Sequence, residues 1–369
     1  MQNDSWRHKV TSLFLALALV SSRGWALSSD KPGVVVLASV VAPESIMEVV
    51  TPESRTRVVS PRDRRDFDVA RVCRFSPART GATTTRIVVA TDDPSLDSDA
   101  DSVARIAFRC WEQSSLALGF EVPATIDQRR IVIFLSKDGQ PGGEEMTSSA
   151  VPTASGYPMA AVFINQVGTL TDKVERMREV AHECGHVLFP AIGGFSSPES
   201  WSNGEMAERV IPAMLLRAMD AGGLTDDDVG GVPASDMRQY VERRYDTAVD
   251  ELARSGPSRD LERGRDSRSF AYTVNMLCFA HAILPAAGFR RAVALGRGGD
   301  ASDLARGLEE AVAEGPASGL DLPARFVGRT VWLPRRLQSG RGLRVVAHRD
   351  TWTKVQINSA RVAWASKES

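Results

Sequence analysis

Three features of the sequence predict an α+β fold. Short β-type runs broken by proline fill the chain from Gly33 to about Val89, and helix and strand patterns alternate from Thr91 to Asn165. From Met206 the pattern is mostly helical, and it reverts to β after Phe326. Apolar residues recurring at steps of three and four mark helices, and β-branched runs bounded by Gly and Pro mark strands. The chain therefore divides into residues 1–26, an export signal; 27–86, a β-rich segment; 87–328, a central domain with a mainly helical C-terminal part; and 329–369, a β-rich tail.

The first residues have the layout of a secretory signal. Arg7, His8 and Lys9 supply positive charge, Val10 to Val20 is an apolar run, and Gly24-Trp25-Ala26 flanks a bulky residue with small ones before a cut near Leu27. The run is too short for a span, which needs about 20 residues. A secreted or extracytoplasmic chain is expected, with no membrane segment after signal removal.

The N-terminal strands are Val34 to Val41, Ile46 to Val50, Thr56 to Val59, Phe67 to Phe75 and Thr83 to Ala90, with Pro43, Pro52, Pro61 and Pro77 between them. Asp99 to Leu118 has a helical pattern and Arg130 to Leu135 a strand pattern. The polar, glycine-rich stretch from Asp138 to Ser155 reads as a mobile loop, and Ala160 to Asn165 as a strand immediately before the next helix.

The next helix carries the chemistry. Asp172 with Glu175 makes a capping-box-like start, with Thr171 an equally acceptable cap. Val174, Met177, Ala181, Cys184 and Leu188 form one apolar stripe, and Pro190 and Gly193-Gly194 end the helix. Within it lies His182-Glu183-Cys184-Gly185-His186, the pattern H-E-x-x-H. Histidines four apart project from one face and can grip one zinc ion, while the adjacent glutamate reaches its open side. There are five histidines in 369 residues, so the spacing is no by-product of a His-rich composition. Cys184 lies on the apolar stripe and reads as a small core residue.

A catalytic zinc site takes three protein ligands and leaves a corner for water. Residues 187 to 204, eighteen in all, separate His186 from Glu205, which a short loop and a second helix can swing back to the histidines. Glu208, one turn on, is the second candidate, as a ligand or as an outer partner of a ligand histidine. Glu199 is the third.

The remaining helices are Met206 to Ala221 (with Pro212 inside), Asp236 to Arg254, Ser267 to Leu284, Phe289 to Leu295 and Ala301 to Ala313. Thr330 to Leu333, Gly342 to His348, Thr353 to Ile357 and Arg361 to Trp364 are the tail strands. A formal net charge of −1 argues against nucleic acid as a partner. Cys73, Cys110, Cys184 and Cys278 allow three full disulfide pairings that sequence does not rank. His281, among Phe279 and Ile283, reads as a buried structural histidine.

His182, Glu183, His186 and Glu205, with Trp201 and Ala207, resemble the gluzincin metallopeptidases, specifically the peptidase-MA-like group that uses H-E-x-x-H, eighteen residues and Glu. That resemblance implies a zincin-like fold over residues 87–328, a Zn2+ cofactor, and a peptide or protein substrate. Glu183 would be the general base and Tyr272 would steady the oxyanion, with Tyr240 and Tyr245 as competitors. The order Gly204-Glu205 inverts the family's Glu-Gly. Gly156-Tyr157-Pro158-Met159-Ala160 has the Gly and Met of the family's aminopeptidase segment but neither its Asn nor the glutamate that holds a free amine. The alternative is a degenerate zincin acting as an extracellular binding module, in which Glu183 would have no task.

Overall fold

A computed structural model describes residues 45–50, 57–59, 66–77, 87–119, 131–152, 158–296, 299–314, 320–335, 343–358 and 361–362. The export signal and the expected strand Val34 to Val41 lie outside them. The fold is mixed α+β, in two compact units: 1–113, 120–187 and 214–237 form the first, and 114–119, 188–213 and 238–369 the second.

In the first unit the strands are β1 (Ser45–Val50), β2 (Arg57–Val59), β3 (Asp66–Asp68), β4 (Arg71–Pro77), β5 (Ile87–Thr91), β6 (Ile131–Leu135), β7 (Gly142–Pro152) and β8 (Pro158–Asn165). Helix α1 (Asp97–Leu118) follows β5, and α2 (Lys173–Leu188) follows β8. Six strands make one sheet in the order β1-β4-β5-β6-β8-β7. β5, β6 and β8 run parallel, whereas β4 and β7 join antiparallel on either side.

The parallel strands are buried on both faces, as near-continuous runs of Ile, Val and Phe require. Val88, Ala90, Val132, Phe134 and Phe163 share a core with Phe67, Val69 and Val72. Phe134 stacks on Phe163 with ring centroids 4.8 Å apart, and Phe67 meets Phe134 edge-on at 5.2 Å. Successive residues point to opposite faces, so Val89, Ile133, Leu135, Val162 and Ile164 are buried on the other side.

β1 and β4 of the 27–86 segment are hydrogen-bonded into the sheet of β5, while β2 and β3 pair with each other in a sheet of their own. One expectation changes here. The glycine-rich stretch contains β7, and this strand, not β8, lies at the sheet's end. Strand β7 carries no alternating apolar pattern in its sequence, and its backbone pairing with β8 identifies it as a strand.

Helix α2 starts as its sequence predicts: the Asp172 carboxylate accepts from the amides of Val174 at 2.8 Å and Glu175 at 3.4 Å. Losing such a cap costs about 1 kcal/mol. Val174, Met177, Ala181, Cys184 and Leu188 are all buried, so one stripe anchors the helix and leaves its flank to the histidines.

In the second unit lie the first part of α3 (Asn203–Asp220, with Pro212 inside), the end of α4 (Ala234–Val241), a π turn at Glu242–Asp246, and α5 (Thr247–Ser255). Then come α6 (Arg259–Arg263), α7 (Ser267–Ile283), α8 (Ala286–Gly296) and α9 (Ala301–Glu314). Apolar α7 is central, with α5, α6, α8 and α9 packed on it. β9 (Leu320–Asp321) pairs with β13 (Arg361–Val362), while β10 (Thr330–Leu333), β11 (Leu343–Arg349) and β12 (Trp352–Ile357) form a sheet in the order β10-β12-β11. The expected single helix from Asp236 to Arg254 is thus interrupted by the π turn. Among the described residues no helix is long and apolar enough to cross a membrane.

Candidate metal site

His182 and His186 stand one turn apart on α2, both half-buried. Their rings meet nearly at right angles, 79° between planes, with centroids 4.9 Å apart. Glu183 between them is only 5% exposed. Its side chain lies across the start of β7: a Cβ on Gly143 would fall on the Glu183 Cγ and carboxylate, closer than atoms can approach. The neighbouring Gly142 has φ +103° and faces the Glu179 carboxylate. A glycine pair therefore lets the strand lie directly against two acids of the helix.

Burial, with the charge of Glu183 adding to it, pushes the Cys184 thiol up to about 12. It is a neutral thiol at pH 7, in keeping with a place in the core and not among ligands.

The candidate carboxylates belong to the second unit. Glu205 occupies the first turn of α3 and Glu208, one turn on, is completely buried. Two arginines hold them. Arg209 Nη2 donates to Glu205 Oε1 at 2.6 Å, and Arg244 Nη2 donates to the same oxygen at 3.0 Å and to Glu208 Oε1 at 2.5 Å. Burial and the adjacent Glu208 charge raise the Glu205 carboxyl above the usual carboxylate range, with Arg209 opposing them. Burial pulls the Arg244 guanidinium down, but the charges of Glu208 and Glu205 outweigh it and hold it above its ordinary value. The Tyr240 hydroxyl donates to the Glu208 carbonyl at 3.0 Å.

Neither arginine is singled out by the sequence. Arg209 was open to detection, because it stands four residues after Glu205 on one helix. Arg244 is 39 positions away and is aimed by the π turn. Glu199, half-buried, sits in the loop before α3. Arg265 ties that loop down, donating to the Gly193 carbonyl at 2.9 Å and pairing with Asp300 at 3.1 Å.

Tyr272 and Tyr245 are engaged elsewhere. The Tyr272 hydroxyl donates to Glu262 at 3.3 Å and accepts from the Ser258 amide at 3.0 Å, linking α7 to α6 and the residue before it. Burial lifts its phenol well above the ordinary value. Tyr245 and His281 share a hydrogen bond at 2.8 Å, which places His281 in a structural pair as its apolar surroundings predict.

No protein-family model, no curated protein and no solved structure matches this chain.

Proposed function

We propose that the chain is an exported zinc-dependent peptidase with a zincin-like fold, in which His182, His186 and Glu205 hold the metal and Glu183 is the general base. The observation that carries this reading is the facing imidazole pair with a buried acid between them. Imidazole nitrogen and carboxylate oxygen are the donors that zinc takes in catalytic sites, so the residues fit the ion. Glu205 is preferred as third ligand for its eighteen-residue spacing and its place on a helix. Glu208, one turn further along the same helix, is the alternative third ligand, and Glu199, in the loop before that helix, the weaker one.

Zinc so held would polarise the scissile carbonyl and make the attacking water acidic enough to react at neutral pH. The work of the chain is to fix the ligands and move the proton. Glu183 accepts it from the water and returns it to the leaving amine. Its position depends on Gly143, and Tyr272 keeps its task between α6 and α7.

The test is metal analysis of the purified mature protein together with a mixed-peptide cleavage screen. One zinc per chain is expected, with cleavage lost to a chelator and restored by zinc. A chain that binds no metal overturns the proposal, and one that binds zinc but cleaves nothing supports the binding-module reading instead.

Gly143→Val offers a more local check. A branched side chain there displaces Glu183 without touching a ligand, so zinc content should hold while kcat falls by about 10²-fold, the scale of a misplacement near 1 Å. Unchanged kcat would show that the strand does not set the position of the base.

A further inference from the structure

We propose that the β10-β12-β11 sheet is a docking face for a membrane surface rich in anionic phospholipid headgroups. The proposal depends neither on zinc nor on peptidase activity.

The tail is the basic part of a nearly neutral chain. Residues 321–369 hold ten Lys and Arg against three Asp and Glu, in a chain whose totals are 45 and 46. Charge gathered at one end of a chain is a mark of a polyanionic partner. Part of it is neutralised within the fold: Arg325 pairs with Asp246 at 2.7 Å and Asp250 at 2.9 Å, and Arg329 with Asp250 at 2.8 Å. Arg344, Arg349 and Lys354 differ, since among the described residues no carboxylate pairs with any of them. Asp350, next in sequence to Arg349, has Arg259 as an ion-pair partner at 3.9 Å.

The register puts these three cations on one face. Arg344 of β11 is opposite Gln356 of β12, Arg349 is opposite Trp352, and Lys354 is opposite Trp332 of β10. Residues two apart on β12 share a side, so Arg344, Arg349, Lys354 and Trp332 do too. The contacts agree: the Arg349 guanidinium lies 4.8 Å and the Lys354 ammonium 5.7 Å from the centre of the Trp332 ring. The opposite side carries Val331, Leu333, Leu343, Val355 and Ile357, all buried. One side of the sheet is thus core and the other cationic. Two positive charges over one indole are attracted by the ring but repel each other, and a layer of anions relieves that repulsion.

The occupant follows from what the face offers. Arg344 and Arg349 are exposed, and Val346, the extra residue at the bulge between Val345 and Ala347, is 50% exposed. Cations with an apolar side chain among them match phosphates above hydrocarbon. Trp332 is only 5% exposed, closed in by Gly256 and by the two cations. Its ring is therefore shut to a base that would stack on it, which single-stranded nucleic acid requires.

The test is co-sedimentation of the mature chain with vesicles of phosphatidylcholine, either alone or with about 30% phosphatidylglycerol, a strongly negative surface. Binding is expected only to the second, and its loss is expected at about 0.5 M salt, where the screening length falls to about 4 Å. Each cation near such a surface is worth about 5-fold in affinity, so Arg344→Gln/Lys354→Gln should weaken binding by about 25-fold. Val346→Ser in that background should weaken it further. Arg329→Gln, which removes a charge already paired to Asp250, should leave it within about twofold. Circular dichroism shows whether the double variant folds, and Arg344→Gln alone, at an exposed position, carries the test where it does not. The proposal is overturned by equal binding to both vesicles, by no binding to either, or by a folded variant at these positions that binds like the wild type. It is overturned equally if Arg329→Gln weakens binding as much as Arg344→Gln. Duplex DNA that binds as tightly as the vesicles, with the same loss in the double variant, overturns it in favour of a nucleic-acid site.

Discussion

Replacing Glu183 by glutamine is expected to leave the zinc content intact and to lower kcat by about 10²- to 10⁴-fold, the range contributed by a positioned general base. Glutamine keeps the shape and can still lie against Gly143, but its amide takes no proton at neutral pH. Neither imidazole is touched, so any loss of metal would point to damage beyond the proton transfer. Zinc content and kcat, measured on the same preparation, separate the two outcomes. Equal turnover by the wild type and Glu183→Gln would remove the proton-transfer role from this residue. The opposite pattern is expected for Glu205→Ala, where metal retention weakens first and activity follows.

The largest stability effect is expected at Phe163→Ala, a loss of about 3–5 kcal/mol. Phe163 is 1% exposed and stacks on Phe134, its register partner on the neighbouring parallel strand. Truncation removes the ring's own burial and strips Phe134 of its stacked partner, and close-packed interiors relax only partly into such a space. A denaturant midpoint that falls with unchanged slope would confirm the loss. A change under about 1 kcal/mol, typical of a substitution away from any core, would mean that the sheet core is not packed around this pair.

Much of this architecture is legible in the chain because it repeats with a period. The stripe on α2, the cap at Asp172, the runs that became β5, β6 and β8, and the stop of α7 before Pro285 all follow from local pattern. What escapes reading is set by partners distant in sequence. Strand β7 has a Gly-Gly start and polar residues, and only its pairing with β8 makes it a strand. The π turn is a shift of hydrogen bonds that leaves apolar spacing almost unaltered, so the helix through Glu242 reads as continuous. For the same reason the histidine pair and Glu183 are visible as a motif, whereas Arg244 is not: its relation to Glu205 exists only once the chain has folded. Tyr272 shows the converse, since a family resemblance suggests a reacting hydroxyl but not the bonds to Glu262 and Ser258 that the fold gives it.

The four cysteines are buried and form no disulfide, three in the first unit and Cys278 in the second. Burial pushes Cys73 to about 11 and Cys184 and Cys278 to about 12. An alkylating reagent at neutral pH consequently meets almost no thiolate until a segment opens, and its rate of attack becomes a clock for that opening. Peptide mapping of the labelled sites would time Cys184, beside the base, separately from Cys278, giving each half of the molecule its own internal stopwatch.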